Sequence, residues 1–94
     1  MTDYERKKYN KEKLHMVLIN RIDELCIEKG YTLYALAYIA AMPLTTLTNI
    51  MNGKSVNPSF YTIVKICDAF DMTLAEFVDT EEFETALIES RDEK

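Results

Sequence analysis

Residues 32–59, TLYALAYIAAMPLTTLTNIMNGKSVNPS, decide the fold. Leu33, Leu36, Ala37 and Ala40 recur at the three- and four-residue spacing of one helix face. Thr32, just ahead of them, offers a hydroxyl to the unpaired amides of a first helical turn. Pro43 disfavours helical geometry in the residue before it, so this helix stops by Met42. The same proline suits the start of a second helix, because its φ is fixed and it has no amide to satisfy. Leu44–Met51 reads as that second helix, with Leu47 and Ile50 on one face, and Asn52-Gly53 ends it. Lys54–Pro58 is a loop, and Ser59 is a good N-cap for the next helix. Small side chains at Ala37, Ala40 and Ala41 let the two helices approach, while the tight turn sets one across the other. This is the geometry of a helix-turn-helix.

Working outward, Leu14, Leu18, Ile22 and Leu25, with Val17 and Cys26 alongside, predict a helix from about Lys11. Lys29 places a cation in its last turn, and Gly30 ends it. On the other side, Ile63, Ile66, Cys67 and Phe70 form the buried stripe of a helix opened by Ser59. Asp71-Met72 turns the chain. Thr73 caps a short helix, Leu74 to Val78, in which Leu74 and Phe77 are expected to point inward. Thr80-Glu81-Glu82-Phe83-Glu84 starts another helical segment, with acids where the helix dipole favours them. The expected organisation is a polar, frayed N-terminus at 1–10, a helix-turn-helix domain at 11–79 and an acidic, helical C-terminal extension at 80–94.

Composition agrees with an all-α class. Ninety-four residues support one core and not two. Two glycines and two prolines are too few for the many turns of a sandwich or barrel. The N-terminus, MTDYERKKYNKEK, has no apolar segment of the signal-peptide kind, and no run approaches the ~20 residues that span a bilayer. A cytoplasmic location without membrane attachment is therefore expected. No segment is left over for a separate ligand-sensing domain, so any effector is expected to act through a partner or an oligomer. Cys26 and Cys67 are far apart and outside any CxxC pair, and read as small buried apolar residues. The sole histidine, His15, has no Cys or Asp pair beside it to make a metal site. No nucleophile–base pair, Gly-rich phosphate loop or metal spacing appears, so neither an enzyme, a cofactor nor a small-molecule substrate is expected.

The net charge is −5, but it is unevenly spread. Residues 1–54 hold eight cations and six acids, whereas 55–94 hold three cations and ten acids. Such asymmetry is compatible with one face meeting a polyanion and the other avoiding it. If Leu47 and Ile50 pack inward, Leu44, Thr45, Thr48 and Asn49 face outward. Thr and Asn can hydrogen-bond base edges, and Leu or a Thr methyl can meet a thymine methyl. The amides at Thr32–Leu33, with Asn52 and Lys54, can meet phosphates. Lys7, Lys8, Lys11 and Lys13 read as a solvated helix start rather than as an arm reaching for phosphates.

The stretch from Thr32 to Phe77 resembles the phage-repressor helix-turn-helix family, also called Cro/CI or xenobiotic-response-element type. Leu36-Ala37, Ala40, Thr46-Leu47, Ile50, Asn52-Gly53-Lys54, Asn57-Pro58-Ser59, Lys65-Ile66, Ala69, Leu74 and Glu76 carry the likeness. With Ile22, Leu25 and Gly30 it covers roughly residues 14–78. The resemblance implies a compact five-helix, lambda-repressor-like DNA-binding domain, here with a short C-terminal helical extension. It places Leu44, Thr45 and Asn49 where relatives read bases, with Thr48 nearby. Thr32, Leu33, Asn52 and Lys54 fall at phosphate-contacting positions, and the Asn57–Ser59 loop adds to them. It further implies a sequence-specific transcriptional regulator on a double-stranded operator, commonly a homodimer whose half-sites lie about one helical turn (~34 Å) apart.

Departures from the pattern are as informative. Ala41 stands where the turn usually has Gly, and Asp71 where Gly commonly ends a helix. Leu33 and Leu44 replace polar side chains, and Tyr34 and Tyr38 fill positions that are usually polar. These apolar and aromatic replacements, with the acidic tail, support an alternative: a protein-interaction module on the same fold, adaptor or antitoxin-like. Phe83 and Leu87, four residues apart, either form a dimer seam or fold back on the core, and the resemblance tips the choice toward the seam.

Overall fold

The computed structural model describes residues 10–90, and these are helical with no strand. The helices are α1 (Lys11–Lys29), α2 (Leu33–Ile39), α3 (Leu44–Met51), α4 (Phe60–Ala69), α5 (Leu74–Val78) and α6 (Glu81–Ser90). The fold is therefore the expected all-α, five-helix arrangement with a sixth helix at its C-terminal end. The N-terminal segment at 1–9, with Lys7 and Lys8, and the last four residues of the acidic tail lie outside the described residues.

Helix starts follow the local chemistry. Asn10, Thr32, Ser59 and Thr73 each accept a hydrogen bond from the amide three residues on, at 3.0–3.1 Å. At Thr73 the exchange is reciprocal, since its own amide donates to Glu76 Oε1 at 2.9 Å. Thr80 Oγ1 accepts from the Phe83 amide and opens α6. Each bond satisfies an amide that the helix itself leaves unpaired.

Three helix ends share one closing device. The amides of Tyr31, Met42 and Met72 donate back to Cys26, Ala37 and Cys67, five residues earlier, at 2.8–3.0 Å. The residue before each of those amides is left-handed: Gly30 at φ 72°, Ala41 at φ 56° and Asp71 at φ 59°. Glycine takes that conformation freely, whereas a Cβ crowds the carbonyl. The sequence departures at Ala41 and Asp71 are thus real points of backbone strain. Both are exposed, so glycine would lose no packing there. Ala41→Gly is expected to stabilise the fold by about 1 kcal/mol. Asp71→Gly should give less, because Asp tolerates the left-handed region better than Ala. Thermal unfolding checks both, with a rise in Tm of about 4–8 °C expected for the first.

The core is built from Ile22, Leu25 and Cys26 of α1, Leu36, Ala37 and Ala40 at α2, Leu47 and Ile50 of α3, Ile66, Cys67, Ala69 and Phe70 at α4, and Phe77 of α5. Tyr31 stacks on Phe70 with ring centroids 6.0 Å apart. Two expectations need correction, an inward-facing Leu74 and a seam at Phe83. Leu74 is exposed, and only Phe77 of α5 is buried. Phe83 does not form an open seam. It packs on the core with its ring 6.1 Å from that of Phe77, while α6 lies along α1 and buries Ala86. Leu87 and Ile88 stay on the outer side.

Polar side chains tie the elements together over long sequence distances. His15 is buried, and its Nε2 lies 2.8 Å from the Ile50 carbonyl, which can only accept, so Nε2 carries the proton. The sole histidine thereby joins α1 to the end of α3. Arg21 donates from Nε to the Phe77 carbonyl at 2.7 Å and from Nη2 to the Glu76 carbonyl at 3.2 Å. A cation thus meets carbonyls at the C-terminal end of α5, one of which, Glu76, also accepts the Asp79 amide at 3.3 Å. Both cysteines are free and buried, and burial pushes each thiol above its ordinary pKa.

Candidate nucleic-acid interface

α3 is pinned from inside. Leu47 and Ile50 are fully buried, and Met42 and Met51 at either end pack against the same core. Because a helix has 3.6 residues per turn, burying 47 and 50 turns 44, 45, 48 and 49 outward. Leu44 and Thr45 are exposed, while Thr48 and Asn49 are half-buried. These four expected base-reading residues share one face.

Their hydrogen-bonding capacity differs. Thr48 Oγ1 donates to the Thr45 carbonyl at 3.1 Å, so its proton is engaged within the helix. What it offers outward is a methyl and acceptor lone pairs. Asn49 has no side-chain hydrogen bond among the described residues, which leaves both amide functions free. Its backbone carbonyl accepts the Ser55 amide at 2.9 Å, folding the following loop back onto α3.

The flanking residues are placed by that loop and by the helix starts. The Thr32 hydroxyl is used as the α2 cap, and Leu33 lays its side chain against the core. Each can offer a backbone amide rather than a side chain. Asn52 Oδ1 accepts the Lys54 amide at 3.0 Å, so the Asn52 Nδ2 group and the Lys54 ammonium remain for a ligand. Ser59 is occupied in capping α4 and in a 3.0 Å bond to Thr62 Oγ1. Asn57 is exposed and also lines an apolar groove with Leu14 and Leu18 of α1, Val78 and Phe83.

From Gly30 to Gly53 the chain carries no ionisable acid or base other than tyrosine. Lys54 closes this stretch and is exposed. Tyr34 and Tyr38, one turn apart on α2, are 69% and 80% exposed, which places them on the surface rather than in the core. Among the described residues, no three His, Cys, Asp or Glu side chains are placed to hold a metal ion. No described helix is long and apolar enough to cross a membrane.

Like the His15 bond to Ile50, two further tertiary anchors escaped sequence reasoning. Arg21 showed no local sign of its role at α5. Lys65 belongs to the residues carrying the family likeness, yet nothing near it in sequence indicates that its Nζ lies 2.7 Å from the Ala41 carbonyl, in the turn before α3.

Two short helices joined by a tight turn on a helical core, the second with an uncharged polar face held outward, define a helix-turn-helix protein. The chain belongs to the Cro/C1-type HTH DNA-binding domain family, whose model matches residues 21–82, from within α1 to the first turn of α6. No curated protein and no solved structure matches the chain.

Proposed function

We propose that this chain is a sequence-specific transcriptional regulator that seats α3 in the major groove of a duplex operator in the cytoplasm. The observation carrying this reading is the division of α3 into a fully buried face and an outward face of hydroxyls, one unpaired amide and one apolar side chain. Asn49 is matched to the donor–acceptor edge of adenine, and Leu44 with the Thr45 and Thr48 methyls to thymine methyls. Amides of Thr32 and Leu33, with Asn52, Lys54 and the Asn57–Ser59 loop, contact the phosphates and set register. A homodimer reads two half-sites, ~34 Å apart when they are separated by one helical turn.

The scarcity of cations sets the salt response. With about two to four phosphates neutralised per subunit, the logarithm of affinity falls against the logarithm of salt with a slope of ~0.9 per phosphate. Selection from random duplexes tests the reading directly, and failure to enrich any sequence at any salt would refute it. Asn49→Ala is expected to relax preference at one base position at a cost of roughly 1–3 kcal/mol. Lys54→Ala should weaken all duplexes alike and flatten the salt slope by about 1. Equal losses of the same kind from both substitutions would contradict this division of roles.

One observation favours a second reading. The exposed Tyr34 and Tyr38 on α2, with Phe60 and Tyr61 on α4, are aromatic surface of the kind protein interfaces use. An adaptor or antitoxin-like module would bind a protein there. Tyr34→Ser/Tyr38→Ser would then abolish capture of that partner and leave duplex selection untouched.

A further inference from the structure

We propose that Lys65 is a positioning residue for the reading helix, acting through the turn rather than on DNA; this rests on the DNA-binding reading above. α3 has no side-chain cap at its start, where Pro43 stands. Burial of Leu47 and Ile50 holds its inner face, and the turn from Ala40 to Pro43 fixes where it starts. Two backbone bonds close that turn, from Ala41 to the Tyr38 carbonyl at 3.1 Å and from Met42 to the Ala37 carbonyl at 3.0 Å. At its centre Ala41 is held left-handed, a conformation that resists closure unless something restrains it.

The restraint comes from α4. Lys65 Nζ donates to the Ala41 carbonyl at 2.7 Å, a short, charge-assisted bond. The same ammonium lies 5.0 Å from the centre of the Tyr61 ring, one turn earlier on α4, which holds the cation over its face. Ile66, the next residue, is fully buried, so the backbone carrying Lys65 is fixed to the core. The turn is thus tied at one point to a rigid element that does not belong to the helix-turn-helix. Directional contacts such as an Asn amide on a base edge tolerate little displacement, so loosening the turn costs specific contacts first.

A phosphate-contacting lysine and a positioning lysine give opposite signatures. Lys65→Met keeps the aliphatic stem and removes the ammonium. Binding is measured to the duplex selected by the wild type and to an unrelated duplex, each over a range of salt. Positioning requires about a tenfold loss on the selected duplex, no loss on the unrelated one, an unchanged salt slope, and rescue by Lys65→Arg. Losses equal on both duplexes, with the slope reduced by ~0.9, would make Lys65 a phosphate contact and overturn the proposal. Unchanged binding to both would overturn it as well.

Hydrogen exchange in the free protein separates this outcome from failure of the DNA-binding reading. The Met42 amide should exchange faster in Lys65→Met than in the wild type, beyond any change shared by the Ile66 amide. If the wild type selects no duplex, the DNA-binding reading falls, and equal Met42 exchange removes the turn restraint too. Should Lys65→Met not fold, Lys65→Gln, whose shorter side chain falls short of the carbonyl, is measured the same way against the same outcomes.

Discussion

Thr45→Glu is expected to abolish specific duplex binding, by at least about a hundredfold, without loss of the fold. Thr45 is exposed on the outward face of α3, and its side chain makes no hydrogen bond among the described residues. Replacing it removes no packing. It is the second residue of α3 after the Pro43 cap, where a carboxylate complements the positive end of the helix dipole and adds a few tenths of a kcal/mol. In a groove lined by phosphates the same carboxylate meets like charge as it is desolvated, a juxtaposition that costs several kcal/mol. Mobility shift with the selected duplex gives the affinity, and thermal unfolding gives the stability. Retained binding would place α3 outside the groove. Thr45→Ser, which keeps the hydroxyl and loses the methyl, should reduce affinity far less and mainly where a thymine is read.

Phe77→Ala should destabilise the protein by about 3–5 kcal/mol, a large share of the roughly 5–15 kcal/mol typical of a domain. The ring is 1% exposed and meets Phe83 on one side. The Arg21 guanidinium lies 5.8 Å from its centre. α5 has five residues, too few to sustain a helix without tertiary support. Losing the ring opens a cavity and loosens the Arg21 bonds to the Phe77 and Glu76 carbonyls. It also removes the surface on which α6 rests through Phe83. Denaturant titration checks the magnitude. Leu74→Ala in the same helix, at an exposed position, should cost less than about 1 kcal/mol. Equal losses from the two would mean that α5 is not anchored by its single buried ring.

The local grammar of the chain was legible from the residues. Gly30 ends α1, Pro43 opens α3, and Thr32, Ser59 and Thr73 cap helices where their hydroxyls stand in sequence. These signals act over three to five residues, so the information is complete within the segment. The outward face of α3 was legible for the same reason, because helical periodicity separates 44, 45, 48 and 49 from 47 and 50. The strain at Ala41 and Asp71 could be anticipated only through the family resemblance, which puts Gly at both positions.

The partnerships were not legible. Arg21 finds its carbonyls 55 and 56 residues away, His15 finds Ile50 35 residues away, and Lys65 finds Ala41 24 residues away. Nothing local distinguishes these side chains from solvated ones. Phe83 had two apolar destinations of equal local merit, a second chain or its own core, and packing against Phe77 along α1 decided between them. Leu74 and Phe77 both fit an inward stripe by spacing, but a five-residue helix buries only what its neighbours cover. The sequence by itself determined where helices begin and end and which face of α3 is polar, because hydrogen-bond capping and periodicity are short-range. Only the tertiary structure decided how that face is held, because burial and long-range hydrogen bonds depend on which surfaces meet.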